Sequence, residues 1–191
     1  MKRLLASLWI VLLVTPARAG GEGAGKVFLS LDEALALAFP ECEIERGTEY
    51  LSEPELERAK VLARHALPSP VARPYVARKQ GKLVGTAYFD VHRVRTKNEV
   101  LMLVVGPDGR LTRVEVLAFG EPLEYLPRGP FYAQFAGKRL DDELDTKRSI
   151  RGVSGATLSA EAATAAALRT LALHRVLSER RETSVADLAP R

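Results

Sequence analysis

The chain has 191 residues, 47% of them hydrophobic, and a formal net charge of +4. That length suits one domain with a sizeable core and at most a small appendage. Cys42, the one cysteine, excludes an internal disulfide, a paired-cysteine metal site and a CxxCH haem attachment.

Lys2 and Arg3 precede an apolar run from Leu4 to Val14, and Pro16 leads into Ala17-Arg18-Ala19, a small-x-small cleavage pattern. Residues 1–19 therefore read as a secretory signal peptide, too short in its apolar part to span a bilayer comfortably. The expected compartment is the periplasm, with membrane association if the signal stays uncleaved. Cleavage removes Lys2, Arg3 and Arg18 and no acid, which brings the net charge to about +1 and excludes a nucleic-acid partner.

Residues 20–74 predict a small helical segment. Ser30 with Glu33 forms a capping box for "SLDEALALAF", stopped by Pro40, and Ser52 with Glu55 repeats it in "SEPELERAKVLARHAL". Leu56, Ala59, Leu62, Ala63 and Ala66 fall on one face of the second helix. "LPSPVARPY", residues 67–75, extends neither helix and marks the join to the main domain, residues 75–178.

There the period changes to two. Tyr75–Lys79 and Lys82–Val94 flank a Gln80-Gly81 turn, Val100–Val105 is a continuous apolar run, and Asp108-Gly109 turns the chain into Leu111–Phe119. Alternation in the last strand predicts one covered and one largely solvated face. A long connection follows, with a short helix expected over Pro130–Phe135. "AEAATAAALRTLALHRVL" then reads as a helix with Leu168, Leu171, Ala172 and Leu173 on its apolar face, and residues 179–191 as a frayed polar tail. The fold class is α+β: an antiparallel β-sheet packed against a C-terminal α-helix, with the small N-terminal helical segment.

Hydrolytic and metal chemistry find little support. His65, His92 and His174 show no ligand spacing, so no metal is expected. Ser154 lacks the flanking glycines of a nucleophile elbow. The acidic run from Asp141 to Asp145 lacks the glycine and terminal glutamate of a calcium loop. No catalytic residue emerges.

"RGVSGATLSA", Arg151 to Ala160, is the most specific stretch. Small and hydroxylated residues before an alanine-rich helix serve either as a cap or as the seat of a phosphate, with Thr157 offering the hydroxyl. Ser154–Ala160, together with Glu121-Pro122 and "FYAQFAGK" at Phe131–Lys138, resembles the FMN-binding domain family, which includes the flavin-carrying subunits of Rnf-type and sodium-pumping NADH:quinone oxidoreductases.

The resemblance implies that a flavin transferase, using FAD, attaches FMN through its phosphate to Thr157, with Ser154, Gly155, Ala156 and Leu158 completing the motif. It further implies that Glu121, Pro122, Gln134 and Phe135 line the ring, with His92 and Arg95 either facing the same cleft or standing as exposed strand-end residues. The family's acidic residue falls on Arg151, so either a tolerant transferase acts here or FMN is held non-covalently. The implied function is electron transfer between a membrane donor and a periplasmic acceptor. The alternatives are a non-covalent flavin-dependent reductase with its own substrate, and a cofactor-free extracytoplasmic binding module in which Thr157 is only a cap.

Overall fold

The computed structural model describes residues 25–142, 144 and 149–188, with side chains up to residue 184. The expected signal peptide lies outside these residues. The protein has an α+β fold, and its sheet has six strands, every neighbouring pair antiparallel.

The four expected central strands are present: β5 (Tyr75–Lys79), β6 (Lys82–Arg93), β7 (Asn98–Val105) and β8 (Leu111–Phe119). Gln80 and Gly81 both have positive φ, 51° and 76°, as a tight two-residue hairpin requires. The segment expected to be only helical also supplies both sheet edges. β1 (Lys26–Val27) pairs with β8, and β2 (Glu43–Arg46) pairs with β5. Between them runs α1 (Leu31–Ala38), entered through the expected box, in which Ser30 N donates to Glu33 Oε2 at 2.8 Å and Glu33 N donates to Ser30 Oγ at 3.3 Å. A separate two-stranded ribbon, β3 (Glu49–Tyr50) with β4 (Val71–Ala72), flanks α2 (Glu53–Ala63). Ala66 lies beyond the end of α2, which closes at Arg64 with φ 56°.

Both faces of the sheet are covered, not one. On the inner face Tyr88, Leu101, Leu103 and Val105 pack against α4 (Thr157–Leu188) and against Phe131 and Phe135 from the α3 region (Gly129–Ala133 and its C-terminal turn). On the outer face Ala34, Leu35 and Phe39 of the α1 region cover Ala77, Ala87, Met102, Val104 and Leu117. The continuous apolar run of β7 is what a strand buried on both sides needs. In β8 a register shift opposite Val100/Leu101 leaves Leu117 on the outer face, as alternation places it, but sets Ala118 opposite Val100 and so interrupts the alternation.

The expected polar tail is helix through Leu188. Arg58 Nε and Nη2 each donate to Glu179 at 3.0 Å, and Arg180 pairs with Glu49 and Glu55, so α4 is tied along α2. Such exposed pairs are screened by water and act here mainly as a register.

Candidate functional site at the start of α4

The approach to α4 is built around Gly155, whose φ of +83° is a conformation that a side chain strains. Ala156 N donates to Val153 O at 3.0 Å, and Ala160 N donates to Ala156 O at 2.9 Å. The cap position thus belongs to Ala156, whose methyl cannot accept a hydrogen bond, and Thr157 is the first helical residue. Thr157 is exposed, and its hydroxyl makes no hydrogen bond among the described residues. Gly155→Ala should therefore cost about 1–2 kcal/mol, by the left-handed backbone penalty alone, in a denaturant titration.

A hollow of about 170 Å³ opens at this point, lined by Arg95, Tyr125 and residues 155–159. The Arg95 guanidinium lies 5.0 Å from the Tyr125 ring centroid. Ser159 Oγ donates to Tyr125 O at 2.6 Å and ties the one-turn 3₁₀ helix Leu123–Tyr125 to the helix start. Leu158 and Leu123 are both about half exposed, at 48% and 50%.

The other expected residues divide. Arg95 does meet Thr157 at the hollow. Glu121 acts at one remove: its Oε1 accepts from Thr96 N at 2.6 Å, Lys97 N at 2.7 Å and Arg95 N at 3.3 Å. Those amides, Thr96 first, hold its carboxyl below the ordinary value. It clasps the β6–β7 turn that carries Arg95, and Pro122 starts the 3₁₀ turn. A Cβ on the preceding Gly120 would lie 2.9 Å from Asn98 O, so only glycine lets the clasp close. Glu121→Ala should speed amide exchange at Thr96 and Lys97, measured by NMR, and leave β8 protected.

Gln134 also works through the backbone. Its Oε1 accepts from Arg151 N at 2.7 Å and its Nε2 donates to Arg151 O at 3.2 Å, which fixes the segment leading to Ser154. Phe135 is wholly buried and offers no free face. His92 faces the core. These residues do not gather round one cleft, and a concavity of about 760 Å³ along β8, between Leu37 and Ala133, includes none of them.

His92 belongs to a buried polar assembly absent from the sequence reading. Its Nδ1 is 2.8 Å from Asp90 Oδ1 and its Nε2 is 3.0 Å from Glu99 Oε2. Tyr132 Oη donates to Glu99 Oε1 at 2.9 Å, and Arg169 of α4 grips Asp90 with two bonds of 2.7 and 3.0 Å. Burial alone would push the His92 ring down, but its bonds to Asp90 and Glu99 and their charges outweigh it and hold the ring above its ordinary value. Asp90, although buried, is held below its ordinary value by His92 and Arg169. Burial, and then the Glu99 charge, pushes the Tyr132 hydroxyl up. A signal existed: Tyr88, Asp90 and His92 alternate on the inner side of β6, and Glu99 stands opposite His92.

Among the described residues, no group of three or more His, Cys, Asp or Glu is arranged to hold a metal ion, and no helix is long and apolar enough to cross a membrane. Compared with family models, with curated proteins and with solved structures, the chain matches none.

Proposed function

We propose that this protein is an extracytoplasmic electron carrier bearing FMN on Thr157 through a phosphoester bond. The observation that carries the reading is the exposed Thr157 hydroxyl in the first turn of a 32-residue helix, with the Arg95 guanidinium lining the same hollow. The first amides of a helix have no intrahelical acceptor, and together with the helix dipole they favour an anion there. A phosphodiester on Thr157 Oγ1 is such an anion. Gly155 and Ala156 leave the hydroxyl open to a modifying transferase, and a Cβ at Gly155 would meet nothing within 4 Å.

The residues fit the phosphate end of the group. Thr157 would carry it, Arg95 would balance its charge, and Tyr125 and Leu158 would supply apolar surface beside it. When bound, FMN supplies one- and two-electron redox chemistry, and the protein sets its exposure and potential. At about 170 Å³ the hollow is smaller than the roughly 300–1,000 Å³ pockets that enclose small ligands. An open flavin suits exchange with membrane and periplasmic partners better than a reductase that closes over its own substrate, and it favours the carrier reading over that rival. The cofactor-free module, the other rival, predicts no flavin under any condition.

The test is co-production with a secreted flavin transferase and intact-mass measurement. The expected adduct is FMN less one water on the native chain, some adduct on Thr157→Ser and none on Thr157→Ala. Arg151→Asp should raise the modified fraction. Full loading of Thr157→Ala, or an unmodified native chain, would overturn the covalent assignment.

A further inference from the structure

The buried assembly is mechanically connected to the loop that carries Thr157. Glu99 is wholly buried on β7, and its two oxygens are bound to His92 and to Tyr132. Tyr132 is on α3, and two residues later Gln134 holds the main chain of Arg151 from both sides. Arg151 opens the segment that ends at Thr157.

Both ring nitrogens of His92 face carboxylate oxygens, so with Asp90 and Glu99 ionised both nitrogens must carry N–H and the ring is an imidazolium. A neutral ring has one N–H and one lone pair, and the lone pair would face a carboxylate oxygen. Charged and titratable groups reach this cluster from each element packed on it: Asp90 from β6, Glu99 from β7, Tyr132 from α3 and Arg169 from α4. If the proton leaves, Asp90 keeps the Arg169 guanidinium. Glu99 keeps only the Tyr132 hydroxyl, so the uncompensated charge falls on the link to α3.

We propose that Asp90, His92, Glu99 and Tyr132 form a proton-operated latch: with the shared proton in place α3 and Gln134 hold the Arg151–Thr157 loop, and its loss frees that loop. The latch acts on the loop whether or not Thr157 carries flavin.

Amide exchange of the unmodified chain, followed by NMR and corrected for the intrinsic pH dependence of exchange, tests this. His92 titration is read from its ring proton. Protection at Arg151, whose N–H donates to Gln134, should drop about tenfold for each pH unit by which the cluster is taken past its titration point. Leu101 and Leu103 in the core should stay protected over the same range. Tyr132→Phe cuts the link without changing the volume much, and Glu99→Gln removes the charge while keeping an acceptor for Tyr132. Both variants should lose the pH step at Arg151. An Arg151 protection that ignores pH while His92 titrates in the native chain would overturn the latch, as would a native-like step in either variant.

Discussion

Replacing His92 by alanine is expected to lower the unfolding free energy by about 3–5 kcal/mol, the usual cost of taking one partner from a buried charged pair. The loss falls mainly on Glu99, which is wholly buried and would be left with only the Tyr132 hydroxyl. His92→Leu combined with Glu99→Leu should recover most of it, because removing both charges removes the desolvation cost as well. Urea titration of the single and double variants checks this. A double variant as unstable as His92→Ala would mean that the loss is one of volume and not of charge.

The same residue gives the stability a definite pH dependence. His92 sits above its ordinary value in the folded protein, so its contribution is full below about pH 6.5, where the unfolded ring is also charged. It is lost as pH rises through the folded value. His174 acts in the opposite sense: burial, and then the Arg181 charge, pushes it down to about 4, and its Nδ1 lies 3.0 Å from the Tyr88 hydroxyl. Its stabilisation is present above about pH 6.5 and fades as pH falls toward 4. The stability profile should therefore fall on both sides of neutrality, and His174→Phe should flatten only the acid limb.

Ala163→Leu is the second large effect expected, about 1–3 kcal/mol of destabilisation from overpacking. Ala156, Ala160, Ala163 and Ala167 form a stripe along α4, and each is 4% exposed or less. Ala160, Ala163 and Ala167 lie in the inner-face core with Tyr88, Leu101, Leu103, Phe131 and Phe135, and their small side chains let the helix lie close on the sheet. Three added carbons at 163 would push the helix off the sheet or displace the apolar side chains beneath it. Glu161→Leu, on the exposed side of the same turn, should stay within about 0.5 kcal/mol. Equal urea midpoints for the two variants would show that the stripe tolerates bulk.

The alanine-rich segment was legible as a helix, but not the surface its alanines lie against, since that comes from strands far earlier in the chain. The four central strands could be read from their period and from the Gln80-Gly81 and Asp108-Gly109 turns, which are local signals. β1 and β2 could not: they have two and four residues, mostly charged, and become strands only because the sheet offers them an edge. At the helix start, Thr157 announced itself through four contiguous residues. Glu121 and Gln134 could be read only as polar groups upstream of that start, because sequence does not show that main-chain amides and carbonyls already engage them. His92, weighed by itself, gave no sign of the assembly it forms with Asp90 and Glu99.

β1 and β2 lie at opposite ends of the strand order, and both come from the first part of the chain. That part is therefore less an attachment than a frame, closing the sheet on its left and right margins at once. A fragment begun at Tyr75 would keep every central strand and most of the inner core, yet present two bare margins along β5 and β8. Unpaired margins of that kind recruit other chains. Cutting the gene where the composition changes would leave both margins open to pairing with other copies, and any minimal domain made from this protein has to start upstream of Lys26.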